Sequence, residues 1–141
     1  MSTENRDASL LKLLVLATRA VERRVQERLS PSDLRPAHFA VFRYLDPAGS
    51  KVTALAEAAG MTQQSMGELV THLEQHGYVE RRVDPRDRRV RLVVATARGR
   101  RVLVEAASAI AGIERDLALR LGDKGLAELR RLLGDALDTL A

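Results

Sequence analysis

The spacing of apolar side chains divides the chain into elements. Across residues 8–29, Leu10, Leu11, Leu14, Ala17, Val21, Val25 and Leu29 recur three and four apart, which predicts one long amphipathic helix behind a polar tail at residues 1–7. Ser30-Pro31-Ser32-Asp33 breaks that helix, and Pro36 suits the first turn of a second one carrying Phe39, Ala40, Phe42, Tyr44 and Leu45. Asp46-Pro47-Ala48-Gly49-Ser50 ends it. A short run then follows (Val52, Leu55, Ala56, Ala59), stops at Gly60, and gives way to another opened by Thr62 and carrying Met66, Leu69, Val70 and Leu73. Gly60 suits the left-handed position that ends a helix, and Thr62 can accept a hydrogen bond from a backbone N–H of the next first turn. Two helices joined by a turn this short meet at a steep angle, which is a helix-turn-helix.

After Gly77 the period changes to alternation: Tyr78, Glu80 and Arg82 on one side, Val79, Arg81 and Val83 on the other. A second alternating run covers residues 90–95, and Asp84-Pro85-Arg86-Asp87-Arg88-Arg89 between them supplies turn formers and cations. The pair predicts a β-hairpin with a basic tip, a wing beside the helix-turn-helix. Thr96 caps a long helix to about residue 121 through Val102, Leu103, Ala106, Ile110, Ile113, Leu117 and Leu121. Gly122-Asp123 interrupts it, and a last helix carries Leu126, Leu129, Leu133, Leu137 and Leu140. The fold class is mainly α with a small β-wing: a winged helix-turn-helix plus long N- and C-terminal dimerisation helices. Three segments make one intertwined domain: the tail and first helix (1–35), the winged lobe (36–95) and the C-terminal helices (96–141). The terminal helices show more apolar stripe than one small lobe can cover, so a two-fold dimer built from both chain ends is expected.

A chain of 141 residues is the size of one domain. It has no cysteine, which removes disulfides and thiolate metal sites. Its polar first residues do not read as a signal peptide, and no apolar run approaches the roughly 20 residues of a membrane helix, so the expected compartment is the cytoplasm, with no membrane partner. Charge is unevenly placed: residues 78–101 hold nine arginines against Glu80, Asp84 and Asp87, a segment of +6 in a chain of net +4, leaving −2 elsewhere. An arginine concentration on a helix-turn-helix is the electrostatic footprint of phosphate binding.

The order of these features is specific. A helix-turn-helix is followed by Leu73-Glu74-Gln75-His76-Gly77-Tyr78-Val79, then Asp84-Pro85-Arg86-Asp87-Arg88-Arg89, then Ala95-Thr96-Ala97-Arg98-Gly99, and over nearly the whole chain this resembles the MarR family of bacterial transcriptional regulators. The resemblance implies a homodimer that binds a pseudo-palindromic operator, as a repressor responsive to a small, often aromatic or anionic effector. It also implies a minimal third strand at Lys51-Val52 and an effector pocket between dimer helices and DNA-binding lobe, with Leu14, Arg19, Phe39, Phe42, Arg43 and Tyr44 as candidate lining residues. The absence of cysteine removes the thiol peroxide sensing that some members use.

In this arrangement the second helix enters the major groove. Gln63, Gln64, Ser65, Glu68, Thr71 and His72 lie off its apolar stripe, and with Thr62 and Gly67 they form the candidate contact set. Glutamine can pair bidentately with adenine, serine and threonine serve phosphate or base, and a glutamate can accept from cytosine N4. Gly67 and Glu68 depart from the small hydroxyl and basic residues common in the family: Glu68 repels phosphate unless partnered, and Gly67 costs about 1 kcal/mol in a helix interior, which suits close approach to DNA or to a neighbouring helix. On the wing, Arg82, Asp84, Arg86, Asp87, Arg88 and Arg89 are the candidates. Arg86 is the first choice for the minor groove, Asp87 braces Arg88 or Arg89, and Asp84 with Pro85 sets the turn. Arg81 and Arg82 either contact phosphate or pair with acidic neighbours.

Glu68, His72 and His76 recur four apart, but the outer two stand about 12 Å apart along a helix, too far for one metal. His72 reads as a DNA-side and His76 as a solvent-side histidine, and His38 as structural; no metal or cofactor is expected. No Gly-rich phosphate loop, nucleophile motif or tight acidic pair appears, so the chain does not read as an enzyme. The alternatives are a sequence-tolerant architectural DNA-binding protein and a degenerate winged module kept for protein contacts.

Overall fold

The computed structural model describes residues 3–29 and 33–141. Four residues of the expected tail form one helical turn, α1 (Thr3–Arg6), which has no apolar period to betray it. Helix α2 (Leu10–Arg28) opens where the Ser9 hydroxyl accepts the Lys12 N–H at 3.2 Å. Of the predicted break, Ser30, Pro31 and Ser32 lie outside the described residues. A 3-10 turn at Pro36–His38, with proline in its first turn, leads into α3 (Phe39–Tyr44). Next come α4 (Val52–Ala59), α5 (Gln63–Gln75), the antiparallel strands β1 (Val79–Asp84) and β2 (Asp87–Ala95), and α6 (Ala97–Leu140), whose helical backbone is broken at Gly122 (φ 78°, ψ 160°). None of the described helices is long and apolar enough to cross a membrane.

The chain forms two compact units, Gln26–Ala106 and Met1–Val25 with Ala107–Ala141. The first is organised around fully buried Leu34, Val41, Leu55, Met66, Val70, Leu73, Tyr78, Val79 and Val93. These come from α3, α4, α5, both strands and the segments just before the Pro36–His38 turn (Leu34) and before β1 (Tyr78), so the sheet's inner face and the helices' apolar stripes close on one another. In the second unit Arg24 pairs with Asp116 at 3.0 Å, and Arg130 pairs with Glu114 across the break at Gly122. Its leucines are largely exposed, Leu11 at 72%, Leu119 at 86% and Leu137 at 68%.

Two expected details shift. The third strand is a single bridge at Ser50, which exchanges both backbone hydrogen bonds with Val93 (3.0 and 2.7 Å). Lys51 is instead the N-cap of α4 and Val52 its first residue, because Gly49 turns the chain at φ 107°. The second strand begins at Asp87, not Val90, so the wing's turn is only Pro85-Arg86.

Candidate nucleic-acid interface

The junction between α4 and α5 is fixed locally. Gly60 takes the left-handed conformation (φ 66°, ψ 32°), the Met61 N–H reaches the Ala56 carbonyl at 2.8 Å, and the Thr62 hydroxyl accepts the Ser65 N–H at 3.1 Å. Helix α5 then buries Met66, Val70 and Leu73 and leaves Thr62, Gln63, Gln64, Ser65, Glu68 and Thr71 exposed. Gly67 is half-buried, and a Cβ there would meet nothing within 4 Å, so no neighbouring helix requires the glycine. Glu68 has no ion-pair partner among the described residues, so nothing within the protein offsets its repulsion of phosphate.

The hairpin carries its cations outward. Pairing runs from Val79 opposite Ala95 to Val83 opposite Arg91, then jumps to Asp84 opposite Asp87, so residues 88–90 have no partner on β1 and bow out at the tip. Asp84 accepts the Arg86 N–H at 2.9 Å, fixing the turn. Asp87 braces Arg89, accepting its backbone N–H at 3.1 Å and its guanidinium at 3.1 and 3.2 Å, and those bonds hold the Asp87 carboxyl below its ordinary pKa. Arg86 and Arg88 are exposed, with no ion pair among the described residues. Arg81 is engaged with Glu74 at 2.6 Å, and Arg82 with Glu80 through its Nε at 2.6 Å, whereas Arg91, opposite Val83, is exposed without an ion pair among the described residues. The uncommitted positive charge of the hairpin therefore lies at Arg86, Arg88 and Arg91, toward the tip.

His72 and His76 do not divide into a DNA-side and a solvent-side residue. They stack with His38 in a column, centroids 4.5 Å apart for His38 and His72 and 4.2 Å for His72 and His76. The His38 Nδ1 accepts the Arg35 N–H at 2.9 Å, and the His76 Nδ1 sits 2.8 Å from the His72 carbonyl, which can only accept. The His72 Nε2 is buried without a hydrogen-bond partner. One turn separates His72 and His76 on α5, so both face the Pro36–His38 turn, and this takes His72 out of the contact set. Beside the column lies a cavity of about 450 Å³ lined by Arg35, Ala37, His38, Met61, Ser65, Glu68, Leu69 and His72.

A second polar cluster fixes the wing to the base of α6. The buried Tyr78 hydroxyl donates to Asp33 at 2.6 Å and accepts from Arg98 at 3.0 Å, while the Arg98 guanidinium lies 4.3 Å from the Tyr78 ring and donates to the His76 carbonyl at 2.6 Å. Burial, then the bond to Asp33, pushes the Tyr78 hydroxyl up to about 12, and the same bond lowers Asp33. Thr96 donates to the Gly77 carbonyl at 2.6 Å and accepts the Gly99 N–H at 3.1 Å. A Cβ on Gly99 would stand 2.0 Å from the Tyr78 carbonyl oxygen. The Thr-x-x-Gly spacing thus docks a helix on the wing's first strand, and Asp33 and Arg98 are functional-lobe residues that the sequence reading missed.

The candidate effector residues come from both units. Leu14 and Arg19 are exposed on α2 in the terminal unit. In the lobe, Phe39 is half-buried, Arg43 and Tyr44 are exposed with the guanidinium 5.9 Å from the ring, and Phe42 is core, edge-on to Tyr78 at 6.5 Å. Phe42 is therefore corrected from pocket lining to lobe core, since burial against Tyr78 occupies its ring. The cavity beside the histidines includes none of the six.

Comparison with known proteins agrees with this geometry. Residues 32–90 match the family model described as MarR family. The transcriptional regulator HosA of Escherichia coli O111:H- is 39% identical over 75 residues, 52% of this chain and 56% of HosA, so the chain spans about half the length of the curated relatives it matches. CouR from Rhodococcus jostii RHA1, solved bound to p-coumaroyl-CoA, is 28% identical with 86% of each chain covered and a TM-score of 0.69. Wild-type MarR from E. coli shares the fold at 24% identity, covering 92% of this chain and 98% of MarR, with a TM-score of 0.73. With the helix-turn-helix, the wing and the helix docked behind it all in place, this chain, matched over residues 32–90, is similar to the MarR family of winged helix-turn-helix transcriptional regulators.

Proposed function

We propose that the chain binds double-stranded DNA sequence-specifically as a homodimer and regulates transcription, as a repressor, from a pseudo-palindromic operator. The observation that carries this reading is that the N-terminal half of α5 and the wing tip are both exposed, with uncharged hydrogen-bonding side chains on the helix and, on the wing, Arg86 and Arg88 without an ion pair among the described residues. Gln63, Gln64, Ser65 and Thr71 read base edges, Thr62 and Gly67 bring the backbone of α5 close to the duplex, and Glu68 selects cytosine through its N4 donor. Arg86 enters the narrow minor groove and Arg88 and Arg89 hold phosphates, with Asp84 and Asp87 shaping the loop and Arg82 a weaker, already paired contact. Regulation is by a small aromatic or anionic effector, a class suggested by CouR's p-coumaroyl-CoA. Such a ligand acts only through different affinities for the arrangements that do and do not fit DNA.

Selection of bound duplexes from a random pool tests the reading. An inverted repeat with half-sites about one helical turn apart is expected. Salt-sensitive binding without any enriched sequence would instead identify an architectural binder.

A further inference from the structure

The histidine column joins two elements whose relative position sets how α5 is presented. His38 belongs to the Pro36–His38 turn and is buried, whereas His72 belongs to α5 and His76 is its C-cap. We propose that the column His38, His72 and His76 is a proton-sensitive latch: with neutral rings it holds α5 against the Pro36–His38 turn, and protonation splits it and lowers DNA affinity. The proposal rests on the DNA-binding reading of α5 and adds its regulation.

The charges around the column are unevenly placed. From the segment before the turn come Asp33 and Arg35; from α5, Glu68, which lines the cavity beside His38 and His72, and Glu74, committed to Arg81. From β1 comes Tyr78, whose hydroxyl already donates to Asp33, and from α6 comes Arg98, seated on Tyr78 and the His76 carbonyl. Asp33 Oδ2 stands 3.9 Å from the His76 Nε2, so a carboxylate faces that end of the column. The middle of the column has none of that quality. His72 lies between two rings at 4.5 and 4.2 Å, with its Nε2 buried and unpaired, and Glu68 is exposed. A second cation in the column meets a charged ring at van der Waals distance, with Arg35 and Arg98 adding positive charge nearby. Burial first, then the neighbouring histidines, lowers the pKa of His38.

The sign follows from linkage. A histidine whose folded pKa is depressed contributes stability that is present above its unfolded value, about 6.5, and is lost as pH falls toward the folded value. Acid therefore opens the latch. A histidine that simply faced DNA would do the opposite, because its new charge would attract phosphate.

The test compares pH about 7.5 with about 5.5, either side of the ordinary histidine value. It uses the full chain, His38→Phe, which keeps a stacking ring, and His38→Asn, which keeps an acceptor for the Arg35 N–H. Each is measured for affinity to a duplex selected from a random pool and, without DNA, for amide protection of α5 relative to the unstructured exchange rate at the same pH. A one-unit difference in a histidine's pKa between free and bound protein is tenfold in affinity, so binding by the unaltered chain is expected to weaken about tenfold in acid. Protection of α5 is expected to fall with it, and whichever variant folds should show neither change. Unchanged or tighter binding in acid, or the same weakening in the variants, overturns the latch. A chain that binds no duplex at about pH 7.5 overturns the DNA-binding reading instead. The protection data then judge the column alone: a histidine-dependent loss supports the proton response, and its absence overturns it.

Discussion

Residues Gln26–Ala106 close around a core of their own, whereas Met1–Val25 and Ala107–Ala141 leave their leucines in the open. The lobe buries Leu55, Met66, Val70, Leu73 and Tyr78 completely and ties its corners with hydrogen bonds such as Tyr78 to Asp33. The terminal unit exposes Leu10, Leu11, Leu132, Leu133, Leu137 and Leu140 on helices held by surface ion pairs, which are individually worth about 0 to 1 kcal/mol. A lobe of this kind is complete by itself, while helices of the second kind need another surface. The contrast supports the proposed division, with recognition in the lobe and self-association at the chain ends.

The largest effect should come from breaking that assignment at the ends. On an isolated chain, Leu11→Glu or Leu137→Glu would be a surface change, within about 0.5 kcal/mol. In a two-fold dimer each change occurs twice, and a buried leucine is worth about 2 kcal/mol, so the assembly should lose about 4 kcal/mol, roughly a thousandfold in dissociation constant. Sedimentation across a dilution series reads the difference, and a chain monomeric before and after substitution would defeat the dimer.

The same contrast separates what was legible in the sequence from what was not. Gly60 and Thr62 could be read because a helix stop and an N-cap are set by the residues themselves, and Arg86 could be placed at the tip because Asp84 and Pro85 are turn formers. The third strand was misplaced by one residue because a single bridge at Ser50 leaves no alternation to detect. The histidine column was illegible: His38 and His72 are 34 positions apart, and only packing of the Pro36–His38 turn against α5 brings their rings to 4.5 Å. Asp33 was hidden for the same reason, since its partner Tyr78 is 45 residues away. The requirement for glycine at position 99 comes from the Tyr78 carbonyl, which no local pattern reports.

That carbonyl sets the second effect. Gly99→Ala forces a Cβ to within 2.0 Å of a backbone oxygen, so β1 and α6 must separate, at a cost of about 3 kcal/mol in denaturant-induced unfolding of the lobe. Gly134→Ala in the terminal unit, where a Cβ meets nothing within 4 Å, should not destabilise the chain. Equal behaviour of the two variants would mean that α6 does not dock on the wing as described.

Tyr78→Phe comes next. Removing the hydroxyl leaves Asp33 and Arg98 without their shared partner and should cost about 1.5 kcal/mol. It should also change the acid limb. Asp33 has a folded pKa lowered chiefly by Tyr78, so its contribution is present above the unfolded value, about 3.9, and is lost as pH falls through the folded one. In Tyr78→Phe the stability difference from the unaltered chain should therefore narrow below about pH 4; a difference independent of pH would remove Asp33 from the account.

Function should divide along the same line. Arg86→Ala is expected to weaken duplex binding about tenfold and reduce the salt slope by about one, as the loss of one phosphate-region cation does. Arg131→Ala, on the terminal unit and paired with Glu128 and Asp135, should leave binding unchanged. Titrations at two salt concentrations suffice, and equal losses would mean that net charge, not the wing tip, drives association.

The smallest effect concerns Gly67. A glycine inside a helix costs about 1 kcal/mol relative to alanine, and a Cβ at this position meets nothing within 4 Å, so nothing within the protein compensates. Gly67→Ala should therefore stabilise the lobe by about 1 kcal/mol, seen as a raised unfolding midpoint. If the bare backbone is there to let α5 approach the duplex, the same variant should bind its selected sequence severalfold more weakly although it is the more stable protein. Opposite signs in the two measurements would place position 67 at the DNA, because a purely structural glycine can move stability and affinity only in the same direction or leave affinity alone. A variant that is stabilised and binds unchanged would instead leave Gly67 a tolerated residue and shift the reading of bases onto Gln63, Gln64 and Glu68.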